Sequence, residues 1–256
     1  MRGTWEGAGS PVVLLHGQPG SGADWVLVRR ALSDVRVLAP DRPGYDGLPA
    51  LDFAGNARRL SAVLSDTGVE RAVVVGHSWG GGVALQLALD HPEQVAGLCL
   101  LGSIGSRLSW TNRDRLLSWP GMAQTAAAAM CCAAVLAPRL FVAATGSQLP
   151  HAKLQDVRRQ SRELLRGGIV NAIAAEQRFL VTRGAELARR LGEVAAPALV
   201  VTGHKDRTVP PAAAADLARA LPRGVLVSVS GGHLLPQEAP GLVADAVRRC
   251  VADAEW

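Results

Sequence analysis

The chain has 256 residues, 48% hydrophobic and 19% charged, which suits one large folded core and excludes a disordered or fibrous protein. Its net charge is +5, yet Lys153 and Lys205 are the only lysines and the arginines are scattered beside Ala and Leu without a basic block. That pattern argues against a nucleic-acid partner.

The four cysteines, Cys99, Cys131, Cys132 and Cys250, show no CxxC spacing, and "VVLLHG" is too short for a signal peptide or membrane span. A reduced, cytoplasmic protein with no metal, cofactor or membrane partner is expected.

Apolar runs rich in Val and Leu recur in chain order: "PVVLLHG" (11–17), "VRVLAPD" (35–41), "RAVVVGH" (71–77) and "VAGLCLLG" (95–102). "PALVVTG" (197–203) and "GVLVSVS" (224–230) follow much later, and "RGTWE" is a candidate edge strand. Being continuous rather than alternating, the runs read as strands buried on both faces. Segments with helical spacing lie between them, so the fold class is α/β with a mostly parallel sheet. Pro210–Pro211 and Pro240 mark helix starts, where a missing N–H costs no hydrogen bond. From Ser103 to Arg190 no strand is evident. The division expected is therefore a core of residues 1–102 and 191–256, with a helical insertion at 103–190.

"Gly76-His77-Ser78-Trp79-Gly80" fits G-x-S-x-G between a strand and a helix. That turn exposes a serine hydroxyl at the carboxyl end of the sheet, where open α/β folds bind ligands. A serine needs a base, and the base an acid to orient it. Asp206 follows the strand "PALVVTG", and His233 follows "GVLVSVS" in a Gly-flexed loop, giving the order Ser78, Asp206, His233. Asp41 also ends a strand, but it precedes the serine in chain order and reads as a loop anchor. His77, His91, His151 and His204 read as packing or surface residues. An oxyanion hole would take backbone N–H groups from Trp79 and from Gln18 in "HGQPG".

"VVLLHGQPGSGADW", "LAPDRPGYDG", "VVVGHSWGG", "LVVTGHKDRTVP" and "SGGHLLPQEAP" together resemble the α/β-hydrolase superfamily, in its esterase, haloperoxidase-like and epoxide-hydrolase-like branch. The resemblance implies the α/β-hydrolase fold with a helical cap over the site. It also places Ser78, Asp206 and His233 at the triad positions and Gln18 and Trp79 at the oxyanion positions. Its usual sheet has eight strands; only about ten residues precede "PVVLLHG", so seven or eight are expected. Relatives that open epoxides or remove halides carry aspartate where this chain has Ser78, which argues against those chemistries.

The expected reaction is hydrolysis of a carboxylic ester, lactone or thioester of a small, largely apolar substrate through an acyl-serine. Cleavage of a C–C bond, peracid formation, and a non-hydrolytic catalyst or ligand receptor on the same fold are the alternatives. Trp110, Trp119, Met122 and Phe141, with Met130 and Phe179, are candidates to line an acyl pocket, although ordinary packing within the cap is the favoured reading for each taken singly. Arg107, Arg113 and Arg139 are candidates to bind a substrate carboxylate, although facing solvent is the favoured reading. A small molecule is the partner expected, for a monomer or homodimer.

Overall fold

A computed structural model describes residues 1, 3–119, 121–166 and 169–256, with the side chains of Arg113, Leu164 and Arg166 outside the description. The six strands are β1 (Pro11–Leu15), β2 (Arg36–Leu38), β3 (Ala72–His77), β4 (Val95–Leu101), β5 (Ala198–Gly203) and β6 (Gly224–Val229). They form one parallel sheet in the order β2-β1-β3-β4-β5-β6.

Successive side chains of a strand point to opposite faces, and here both faces are covered. Val13, Leu15, Val74, Leu98, Leu100 and Val200 join one core cluster. It is completed by α2 (Phe53–Asp66), α3 (Trp79–Asp90) and α9 (Pro211–Ala220). Val12, Leu14, Val73, Val75, Cys99 and Val201 join the other, against α1 (Val26–Ala31) and α11 (Pro240–Ala252). This double cover explains the unbroken apolar runs. As the prolines suggest, α9 opens on Pro211 and α11 on Pro240.

The sheet has six strands among the described residues, not seven or eight. The amino-terminal stretch makes a single antiparallel bridge, Glu6 to Val37. Gly7 and Gly9, at φ +79° and +105°, then swing the chain round into β1 before a strand can grow.

Between β4 and β5 lie α4 (Asn112–Leu117), α5 (Met122–Leu136), α6 (Pro138–Ala144), α7 (His151–Arg166) and α8 (Ile169–Arg190). Among the described residues this segment contains no strand. It has a small core of its own, in which Ala127 and Cys131 of α5 meet Ile169, Ala172 and Ile173 of α8. A short helix, α10 (Leu235–Glu238), precedes α11. No helix among the described residues is long and apolar enough to cross a membrane.

The turn from β3 into α3 is tightly packed against backbone. A Cβ on Gly76 would lie 2.5 Å from Gly81 Cα, and one on Gly80 would lie 2.5 Å from the Leu15 carbonyl oxygen of β1. Both obstacles are backbone and cannot step aside. Gly80→Ala is therefore expected to destabilise the protein by ~1–3 kcal/mol, read as a drop in the urea midpoint; an unchanged midpoint would refute this account of the turn.

Candidate active site

Ser78 sits at this turn with φ +52° and ψ −119°, the one non-glycine residue at positive φ among the described residues. Such a conformation costs ~1–3 kcal/mol and persists only where its surroundings enforce it. Here Ser78 N donates to the Leu101 carbonyl of β4 at 3.0 Å, and the Ser78 carbonyl accepts from Gly81 N at 3.0 Å and Ile104 N at 3.2 Å. The turn thus lifts the side chain above the carboxyl ends of β3 and β4.

Asp206 lies beyond the end of β5 and His233 beyond the end of β6, so the parallel topology delivers both to the edge that carries Ser78. His233 Nδ1 donates to Asp206 Oδ2 at 2.8 Å. The other carboxylate oxygen of Asp206 accepts from the backbone N–H groups of Thr208 (2.8 Å) and Val209 (2.9 Å), which holds the carboxylate in place. With Nδ1 committed, His233 keeps Nε2 as its free nitrogen. Ser78 and His233 line one cavity of about 170 Å³, together with Gln18.

The loop carrying His233 is fastened on several sides. Its backbone N–H donates to the Thr145 carbonyl at 3.2 Å, and Leu234 N donates to Ser147 Oγ at 2.8 Å, both in the loop between α6 and α7. His77 Nε2 donates to the His233 carbonyl at 2.8 Å, and the two rings lie 4.9 Å apart. His77 therefore does more than fill space: it braces the His233 loop and lines the cavity. Burial first, and then the neighbouring His233, push its pKa down to about 3, so it stays neutral. His91, His151 and His204 lie away from the cavity lining. Asp41 accepts from Gly22 N at 2.7 Å and so anchors the loop after β1.

Gln18 and Trp79 flank Ser78, and a Cβ on Gly17 would lie 3.1 Å from Ser78 Cβ. Among the described residues, no carbonyl outside the regular elements accepts from Gln18 N or Trp79 N. The Trp79 side chain turns inward and packs on Phe53, with centroids 4.5 Å apart.

Of the candidate pocket residues, Phe141 and Met130 line the cavity. The other four are placed elsewhere. Trp119 is 63% exposed and Met122 is 39% exposed, both at the solvent side where α5 begins. Trp110 packs on Gly184 of α8, and with Phe179 it belongs to the margin of the main core. Arg107 and Arg139 are exposed, while the Arg113 side chain lies outside the described residues.

Residues that the sequence reading passed over complete the wall: Asp24, Val157, Gln160, Ser161, Leu234 and Gln237. Asp24 and Gln237 lie inside motifs already noted, "GSGADW" and "HLLPQEAP", whereas nothing in α7 singles out its contribution. Burial raises the Asp24 carboxyl to about 6, against the opposing hydrogen bond from Ser21 N. No group of three or more His, Cys, Asp or Glu is placed to hold a metal ion among the described residues.

The fold has known counterparts. Residues 12–246 match the alpha/beta hydrolase family. The chain belongs to that family. It is 31% identical to the provisionally named carbamate hydrolase RutD of Klebsiella pneumoniae over 242 residues, covering 90% of this chain and 86% of that protein. Over a shorter stretch of 109 residues it is 43% identical to the 2-hydroxymuconate semialdehyde hydrolase of Pseudomonas sp. strain CF600, covering 39% and 38% of the two chains. The epoxide hydrolase CorEH superposes with a TM-score of 0.80 at 23% identity, covering 97% of this chain and 93% of that one, a likeness of fold.

The buried His77 gives a pH dependence of defined sign. Its pKa is about 3 in the folded protein and near 6.5 when unfolded, so between these values the unfolded state binds more protons. The stability it supports is complete above pH 6.5 and is lost as pH falls. Asp24, raised on folding, works in the opposite direction over its own range between about 4 and 6. His77→Gln removes only the first contribution. Its stability should therefore fall less steeply than wild type from pH 6.5 to 4, by up to ~1.4 kcal/mol per pH unit, in urea titrations at each pH; parallel slopes would refute a neutral, buried His77.

Proposed function

We propose that this alpha/beta hydrolase is a serine hydrolase in which Ser78 attacks a substrate carbonyl, His233 takes and returns the proton, and Asp206 orients the imidazole. The single observation that supports this most is the His233–Asp206 hydrogen bond together with a serine at positive φ, with Ser78 and His233 lining one cavity. A turn serine with a merely structural role needs neither a base nor an anchored acid. Asp206 stabilises the imidazolium as His233 accepts the Ser78 proton; His233 then protonates the departing group. The backbone N–H groups of Gln18 and Trp79 receive the negative oxygen of the tetrahedral intermediate, and the N-terminus of α3 adds its positive end. Water repeats the sequence on the acyl-serine and frees the acid. The helices of 103–190 act as a cap, supplying Met130, Phe141 and Val157 to the acyl side.

The substrate class follows from the wall. Among the described residues lining the cavity there is no Lys or Arg, and Asp24 contributes a carboxyl. A neutral, compact acyl compound such as a short ester, lactone or thioester suits this wall, whereas a buried carboxylate would find no cation. Cleavage of a C–C bond next to a carbonyl is the second reading, favoured by the 43% identity to 2-hydroxymuconate semialdehyde hydrolase. It uses the same serine and base.

A fluorophosphonate probe read by intact mass is expected to add once to wild type, not at all to Ser78→Ala, and ~10²–10⁴ more slowly to His233→Ala. A folded wild type that takes no adduct would sink the serine-hydrolase reading. Among p-nitrophenyl esters of equal chain length, kcat/KM should favour a methyl-terminated acyl group over a carboxylate-terminated one by ~10-fold or more, because the buried charge goes unpaired. A preference for the anionic ester would overturn the neutral-substrate assignment and strengthen the C–C reading.

A further inference from the structure

Beneath the cavity floor lies a buried ion pair that the reaction scheme does not use. Arg42 follows β2 and Glu176 belongs to α8, and both are fully buried. Arg42 Nη1 donates to Glu176 Oε1, while its Nε donates to the His16 carbonyl at 3.0 Å and its Nη2 to the Gly17 carbonyl at 2.8 Å. Its backbone N–H donates to His16 Nε2 at 3.0 Å, which leaves His16 Nδ1 to donate to the Gly17 carbonyl at 2.9 Å. Tyr45 OH donates to Glu176 Oε2 at 2.6 Å, and the guanidinium lies over the Tyr45 and Trp79 rings at 4.9 and 4.6 Å. One planar fork thus bridges two consecutive carbonyls of the loop after β1 and a carboxylate of the insertion.

Stability alone is a poor reason for such a pair. Removing two charges from water is costly, and apolar residues of similar volume often serve a core as well or better. The fork does achieve one thing that apolar residues cannot. The Gly17–Gln18 peptide is planar and trans, so its carbonyl and its N–H point in opposite directions. Holding the Gly17 carbonyl on Arg42 fixes the direction of the Gln18 N–H. The Gln18 side chain adds a second tie to α8, donating to the Ile173 carbonyl at 2.8 Å.

We propose that Arg42 and Glu176 are positioning residues that hold the Gln18 N–H in its oxyanion-binding direction and make that direction depend on where α8 sits. This rests on the reading of Gln18 as an oxyanion donor. Its consequence is that the insertion contributes to turnover through the floor of the site as well as through the walls.

The test compares Arg42→Lys and the paired replacement Arg42→Met with Glu176→Leu against wild type. The readouts are p-nitrophenyl acetate kinetics, the rate of fluorophosphonate labelling and the urea midpoint. Lysine keeps the charge but offers one nitrogen, which cannot span three acceptors in a plane; the paired apolar replacement leaves no orphaned charge. Loss of a whole oxyanion donor costs ~10²–10³ in turnover, so a misdirected one is expected to lower kcat by ~10-fold or more. KM should stay within ~3-fold of wild type, and the labelling rate should fall in parallel with kcat, because KM reports ground-state binding and the donor acts in the transition state. Wild-type kcat in either folded variant would overturn the proposal, as would a rise in KM with kcat unchanged. A wild type that takes no adduct would overturn the serine-hydrolase reading itself, and with it this one; a labelled wild type beside fully active variants overturns only the positioning role.

Discussion

The backbone at Ser78 is the constraint on which the rest of the structure depends. A side chain held at φ +52° is an unfavourable conformation, and it survives because β1, β3, β4 and α3 leave it no alternative. Gly76 and Gly80 have no side chains because the backbones of α3 and β1 occupy the space where a Cβ would be. The Leu101 carbonyl and Ile104 N–H hold the turn from the β4 side. The parallel sheet can be regarded as the frame that makes this one strained residue affordable, with Asp206 and His233 arriving at the same edge because all six strands run the same way.

Around this point the environment grades from apolar to polar within one cavity. His77 and His16 are kept neutral, chiefly by burial, and so act as fixed hydrogen-bonding units rather than as titrating ones. His16 ties the loop after β1 to Arg42, and His77 ties the loop after β6 to the Ser78 turn. The titratable carboxyl that the walls add is that of Asp24. The same low-dielectric surroundings that would strengthen a developing oxyanion contact make a stray substrate charge costly.

The parts that could be read from the sequence were those that depend on local pattern. Continuous Val/Leu runs announced doubly covered strands, and the proline positions announced the starts of α9 and α11. Gly76-His77-Ser78-Trp79-Gly80 announced a turn whose geometry glycine alone permits. Each candidate of the triad followed a strand, and parallel strands necessarily gather such positions at one edge. The number of strands was less legible: a stretch such as "RGTWE" has strand composition, but two glycines at positive φ redirect it after one bridge. The pocket lining was least legible, because it depends on how the insertion is rotated. Trp119 and Met122 lie near the start of α5 and face solvent, while Met130, two turns further along the same helix, faces the cavity. Glu176 is a lone carboxylate on the buried side of α8, and its partner Arg42 lies 134 positions away. No spacing rule joins them.

The loop between α6 and α7 bears on modularity. Thr145 and Ser147 belong to the insertion by position, yet they accept the backbone N–H groups of His233 and Leu234. A Cβ on Gly146 would strike the Lys205 carbonyl, one residue before Asp206. Three consecutive residues of the insertion are thus part of the mounting of Asp206 and His233. The boundary between core and insertion is therefore not a seam along which one could be exchanged for another. A chimera that imports the helices of a relative to acquire its substrates would also import a different mount for His233, unless residues 145–147 stayed behind.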